Sequence, residues 1–201
     1  MLFGIRQSCH SCMYEQVYEL TNTEFQAKFI YQLEAINVEK KKKISYEFYD
    51  FAPKMFHLIR NFYGYSTESY LKSIGPENVF GSLAMGRINS LESQMSAGKS
   101  GSLFFYTADG SLMLKTISHD EFEHFKTIMK DYYYHLLAFP HTMIARFFGL
   151  HKIKFSDGAG FKSKRIYFVI MANVFNTTRY IKERYDLKGS TYGRMTQKYK
   201  E

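Results

Sequence analysis

A chain of 201 residues is long enough to bury one real hydrophobic core, and with a hydrophobic fraction of 45% a folded domain is expected rather than disorder. The formal charge of +8 at pH 7 points to anionic partners (nucleic acid, anionic lipid or nucleotide phosphate) without choosing among them. The longest apolar run, Ile166 to Phe175, is about half the roughly twenty residues that a membrane-spanning helix needs, so it is read as a buried strand.

Met1 to Arg6 lacks the apolar stretch of a signal peptide, and a cytoplasmic location is expected by default. Cys9 and Cys12 are the only cysteines. Their C-x-x-C spacing lacks the two further ligands of a zinc site and the βαβ context of a redox motif, so ordinary reduced thiols and no metal site are expected. A helical start is expected over about 13–36. The run Lys40-Lys41-Lys42-Lys43 reads as a solvated loop, or equally as a patch facing an anionic membrane.

Residues 53–63 read as a helix. Pro53 suits its first position and Gly64 its stop, and Met55, Phe56, Ile59, Phe62 and Tyr63 form one apolar stripe. Thr67 to Ile74 is a second helix, capped by Ser66 and ended by Gly75-Pro76. The period then changes. Ser102 to Tyr106 and Ser111 to Thr116 are rich in strand formers, and Asp109-Gly110 between them signals a type I′ hairpin. A further helix is expected from about Asp120 to His135, buried through Phe122, Phe125, Met129, Tyr132 and Leu136. Strands near Ala145–Phe155 and Ile166–Val174 flank a loop of turn formers, Ser156 to Gly160. The expected fold is α+β: an antiparallel sheet with helices mainly on one face.

Three features bear chemistry. Gly98-Lys99-Ser100-Gly101-Ser102 stands directly before a hairpin strand, where a Gly-Ser loop can donate backbone N–H groups to phosphates or serve as a surface turn. It is not a Walker A loop, because position 93 is Ser and a strand rather than a helix follows. Lys115 lies near the end of the second hairpin strand, beneath that loop, as in protein kinases; alone it would read as an exposed strand lysine. Glu121 borders the apolar stripe of the next helix, whereas Glu123 points away from it. Glu121 therefore has two readings, the acidic partner of Lys115 or the third position of a Ser118–Glu121 capping box.

These elements precede Tyr185-Asp186-Leu187-Lys188-Gly189-Ser190-Thr191, and the ordered set resembles the phosphatidylinositol phosphate kinases, most closely the phosphatidylinositol 4-phosphate 5-kinases. Five more segments agree: Phe3 to Arg6, Phe48 to Phe56, Asp131 to His135, Arg146 to His151, and Val169 to Phe175. The resemblance spans nearly the whole chain and implies that residues 1–201 are the N-terminal part of such a kinase domain. It implies a kinase-like N-lobe, ATP with Mg²⁺, a phosphoinositide substrate, a basic membrane-facing surface on the inner leaflet of the plasma membrane, and homodimers through the N-terminal part. Nucleic acid is not implied. By position, Lys115 and Lys188 would hold the ATP phosphates, Gly98 to Ser102 would cover them, and Asp186 would set its strand's end. The family's catalytic Asp in a Met-Asp-Tyr-Ser-Leu-Leu segment, its metal-binding Asp and its lipid-selecting loop do not occur in this sequence. Little or no phosphoryl transfer is expected from this chain alone. The alternative is a non-catalytic membrane-binding or dimerisation module derived from the same lobe.

Overall fold

The computed structural model describes residues 1–13, 19–37, 42–75, 102–107, 109–156, 163–183 and 185. In chain order they form α1 (Leu2–Cys12), α2 (Asn22–Gln26), β1 (Lys28–Asn37), β2 (Lys42–Phe51), α3 (Pro53–Phe62), α4 (Thr67–Ser73), β3 (Phe104–Tyr106), β4 (Leu112–Ile117), α5 (His119–Ala138), β5 (Phe147–Ser156) and β6 (Ser163–Ala172). The six strands make one antiparallel sheet in the order β1-β2-β5-β6-β4-β3. The fold is α+β.

The helices start where their capping chemistry allows. Pro53 occupies the first turn of α3. Ser66 Oγ accepts the Ser69 N–H at the start of α4. Gly64, at φ 81°, takes the left-handed turn after α3 that a side chain would resist. Phe122, Phe125, Met129, Tyr132 and Leu136 of α5 are all buried.

Two expectations fail locally. The helix expected over about 13–36 is not formed as such: α2 is short, and β1 takes over from Lys28. Residues such as Gln32, Leu33, Glu34 and Ala35 favour helix locally, but ten paired positions with β2 outweigh a preference of tenths of a kcal/mol per residue. The same pairing draws Lys42 and Lys43, expected in a loop, into β2; Lys40 and Lys41 lie outside the described residues. The β3–β4 hairpin also departs from a type I′ turn, which needs positive φ at both central residues. Here residues 107–111 connect the strands, the Thr107 N–H donates to the Leu112 carbonyl (3.1 Å), and only Gly110 of the Asp109-Gly110 pair has positive φ (69°). Side-chain bonding decides the turn. The Asp109 carboxylate accepts from Thr107 Oγ1 (2.6 Å), Ser73 Oγ (2.7 Å) and the Ser111 N–H (3.0 Å), tying the hairpin tip to α4. Burial opposes ionisation of Asp109, yet these bonds hold its carboxyl below the usual range.

Strand register sorts the sheet into two faces. One row, Lys28–Phe51–Leu150–Val169–Lys115–Phe104, crosses all six strands, and the next is Ile30–Tyr49–Lys152–Tyr167–Ile117. Helix α5 lies on this face: the Phe122 ring meets Phe51 (4.9 Å, edge-on) and Tyr167 (4.6 Å), and Phe125 meets Phe147 (4.9 Å). The opposite face carries Phe48, Asp50, His151 and Phe168, and receives α1. There Ser8 Oγ of α1 donates to Asp50, and His151 Nδ1 stands 3.0 Å from Asp50 Oδ1. Helices α1, α3 and α4 pack with one another, as expected of helices mainly on one face, while α5 covers the other.

Gly4 of α1 lies directly on the buried Phe48 ring, which a Cβ at this position would overlap. Gly4→Ala should destabilise the fold by about 1–3 kcal/mol through overpacking, read as a lower urea midpoint at unchanged m-value. An unchanged midpoint would show that α1 does not sit this close to the sheet.

Candidate functional site

The β4–β6 pairing sets Lys115 opposite Val169, with Phe104 of β3 on its other side. Alternation along β4 sends Leu112 and Leu114 to the α1 face and Lys115 to the α5 face. Ser118 then ends the strand and caps α5. Its Oγ accepts the Glu121 N–H (3.1 Å), while the Ser118 N–H donates to Glu121 Oε2 (2.7 Å). This is a complete capping box. The other carboxylate oxygen, Oε1, lies 3.5 Å from Lys115 Nζ. The two sequence readings of Glu121 are therefore both realised, by one carboxylate with two oxygens. Glu123 turns outward and pairs with Lys126 at 2.9 Å.

The bond from the Ser118 amide is the main cause that holds the Glu121 carboxyl below its usual range; burial opposes it, and the Lys115 charge adds to it. The anion is thus secured by the backbone before the lysine contributes. The Lys115–Glu121 contact is long and solvent-accessible, so it orients the ammonium more than it stabilises the fold.

The pair stands at the edge of a cleft of about 500 Å³ between α5 and the sheet. Val169, Met171, Phe147, Ile117 and Phe125 make it mainly apolar, with Lys115, Glu121 and Asp131 as its charged groups. Its far wall is fixed by Tyr132, whose hydroxyl donates to the Ala145 carbonyl (2.9 Å) and accepts the Phe147 N–H (2.7 Å). Burial holds this phenol protonated, well above the usual tyrosine range. An apolar slot with one cation at its mouth suits a flat, uncharged ring joined to phosphates.

Lys115 and Glu121, both singled out by the sequence, come together at this cleft, whereas Phe147, Val169 and Met171, which wall it, carry no local sign of that placement. The signal available was the alternation of Val169 and Met171 along one strand; the register that puts Val169 beside Lys115 was not available. Ser102 is buried at the entry to β3. Gly98, Lys99, Ser100, Gly101, Asp186 and Lys188 lie outside the described residues. No helix among the described residues is long and apolar enough to cross a membrane, and none of their His, Cys, Asp and Glu side chains cluster as a metal site would require.

Residues 86–201 match the family model described as phosphatidylinositol-4-phosphate 5-kinase. The sequence is 37% identical over 194 residues to a phosphatidylinositol 4-phosphate 5-kinase of Plasmodium falciparum, covering 96% of this chain and 11% of that protein. It is 34% identical over 196 residues to phosphatidylinositol 4-phosphate 5-kinase its3 of Schizosaccharomyces pombe, covering 96% and 24%. Phosphatidylinositol 4-phosphate 5-kinase 8 of Arabidopsis thaliana is 34% identical over 159 residues, covering 79% and 19%. The chain therefore spans only about a tenth to a quarter of the length of these relatives.

Removing the cap with Ser118→Ala should cost about 1 kcal/mol in urea denaturation, whereas Glu123→Gln should be near neutral. Because the folded-state pKa of Glu121 is depressed, its contribution is complete above the usual 4.5 and fades as pH falls through the lower folded value. Glu121→Gln should therefore flatten the loss of stability between pH 5 and pH 3. An identical acid profile in wild type and variant would remove Glu121 from the cap.

Proposed function

The chain belongs to the phosphatidylinositol-4-phosphate 5-kinase family, and we propose that it supplies the ATP-phosphate-binding lobe of a kinase acting on phosphatidylinositol phosphate. The preferred reaction is conversion of phosphatidylinositol 4-phosphate to the 4,5-bisphosphate. The observation that carries this reading is the Lys115–Glu121 pair at the mouth of the apolar cleft.

In this reading the adenine lies against Val169, Met171 and Phe147. Lys115 binds the phosphates as a point charge, and Glu121 aims its ammonium. Gly98 to Ser102 close over the phosphates through backbone N–H groups, Lys188 approaches them as a second cation, and Asp186 sets the end of its strand. Mg²⁺, when bound, would neutralise phosphate charge. The described residues supply no carboxylate cluster that would hold it. In this reading the chain binds, positions and shields the nucleotide.

The lipid substrate implies work at a membrane surface, on the inner leaflet of the plasma membrane. The net charge of +8 and the Lys40 to Lys43 run support that placement. A second reading, a dimerisation module, is favoured by β1. Among the described residues this ten-residue strand is paired on one side only, with Ile30 47% exposed. An open edge of this kind is a template for a second strand, here one from another copy.

A chimaera joining this chain to the C-terminal half of a family member should phosphorylate phosphatidylinositol 4-phosphate in vesicles, and Lys115→Met should reduce kcat at least a hundredfold with lipid binding retained. Near wild-type turnover in that variant would refute the role of Lys115. The chain itself should sediment with anionic liposomes at low salt and be released at high salt, as expected for charges acting within a Debye length. Changing Lys40 to Lys43 to alanine should weaken that binding; equal sedimentation would place the contact elsewhere.

A further inference from the structure

The α5 face of the sheet holds a second charged cleft, of about 620 Å³, on the other flank of α5 from the Lys115 site, and no residue lines both. Lys28 of β1, Lys152 of β5, Arg165 of β6 and Lys126 of α5 line it, against one carboxylate, Glu123. Glu123 is already paired with Lys126. Nearby Lys154 is likewise neutralised by Glu47 at 2.9 Å, and the bonds from Lys154, Tyr49 and Gln32 pull the Glu47 carboxyl down to about 2. Lys28 and Arg165 have no carboxylate within ion-pair distance among the described residues. Lys152 is half-buried. Its ammonium sits 3.6 Å from the centre of the Tyr49 ring, on a floor also made by Phe51 and Tyr167.

This arrangement is costly as it stands. Burial first, and then the charges of Arg165 and Lys28, hold the Lys152 ammonium below its usual range. Like charges brought onto one sheet face repel, and the partly apolar floor screens them poorly. A polyanion seated among the three cations would reverse the sign of each interaction. Gln26 and Thr127, also on the rim, offer neutral hydrogen-bond donors.

We propose that Lys28, Lys152 and Arg165 form an anion site for phosphate groups, separate from the cleft at Lys115. The site takes a phosphomonoester or pyrophosphate, presented either by a lipid headgroup or by a soluble molecule. It uses no part of the kinase reading and stands or falls independently of it.

The test uses the full 201-residue chain carrying Lys115→Met, so that the other cleft lacks its cation. The probes are sodium pyrophosphate, followed by calorimetry, and vesicles of phosphatidylcholine with a minor fraction of phosphatidylinositol 4-phosphate. Arg165 is exposed, so Arg165→Glu leaves the core intact, and it should weaken binding by about tenfold or more. Lys152→Met should act in the same direction, and Lys152→Arg should stay within about threefold because it keeps the cation over Tyr49. Lys164→Glu is the control. It changes net charge equally, but from the neighbouring strand position, which alternates to the other side of the sheet. Loss with both probes assigns the site to phosphate as such; loss with vesicles alone assigns it to a lipid headgroup. The proposal is overturned if neither probe binds, if Arg165→Glu and Lys152→Met bind unchanged, or if Lys164→Glu costs as much as Arg165→Glu.

Discussion

The seating of α5 on the sheet is the contact on which the rest depends. Phe122 and Phe125 place their rings against Phe51, Tyr167 and Phe147, drawn from β2, β6 and β5. Each such pair adds about 0.5–1.5 kcal/mol beyond the area it buries, and the geometry is directional. Rotating the helix by one residue, about 100°, would take both rings off the sheet. It would also carry Glu121 away from Lys115. The clefts on either flank of α5 exist because the helix rests on these rings and leaves the sheet uncovered to each side.

Polar ties then fix what aromatic packing leaves adjustable. Tyr132 spans from α5 to the start of β5, satisfying a carbonyl and an N–H at a bulged end where the ladder itself is interrupted. Asp109 does the same for the hairpin tip, holding β3 and β4 to α4. Across the sheet, the almost wholly buried Ser8 hydroxyl donates to the buried Asp50 carboxylate and binds α1 to the opposite face, with His151 packed beside Asp50. Burial makes these ties specific, because a group moved off its partner would be left unsatisfied out of water.

Charge is distributed by the same geometry. Where the register sets opposite charges side by side, as with Lys154 and Glu47, a positive residue is neutralised and becomes structural. Where the neighbours are mainly aromatic or also positive, as around Lys152, burial and like charge hold the ammonium below its usual range. A net charge of +8 therefore says less than the separation, among the described residues, of cations with a carboxylate partner from those without one.

Much of this was legible in the residues. Helices α3, α4 and α5 follow from Pro53, Ser66 and Ser118 at their starts and from apolar spacing near 3.6, since both signals are local. The lysine on β4 and the choice of Glu121 over Glu123 follow from alternation and helical phase, which are also local. Strand β1 was misread, because Gln32, Leu33, Glu34 and Ala35 favour a helix until β2 pairs with them. The hairpin turn was mistyped, because a hydroxyl from α4, distant in sequence, competes for the Asp109 carboxylate. The cleft walls and the gathering of Lys28, Lys152 and Arg165 were invisible for the same reason. They lie on three different strands, and only the order and register of the sheet, set by long-range backbone pairing, bring them onto one face. Residue identity alone says which side chains carry charge and where α3, α4 and α5 begin; which charges meet was left to the tertiary fold, because that depends on contacts between residues far apart in the chain.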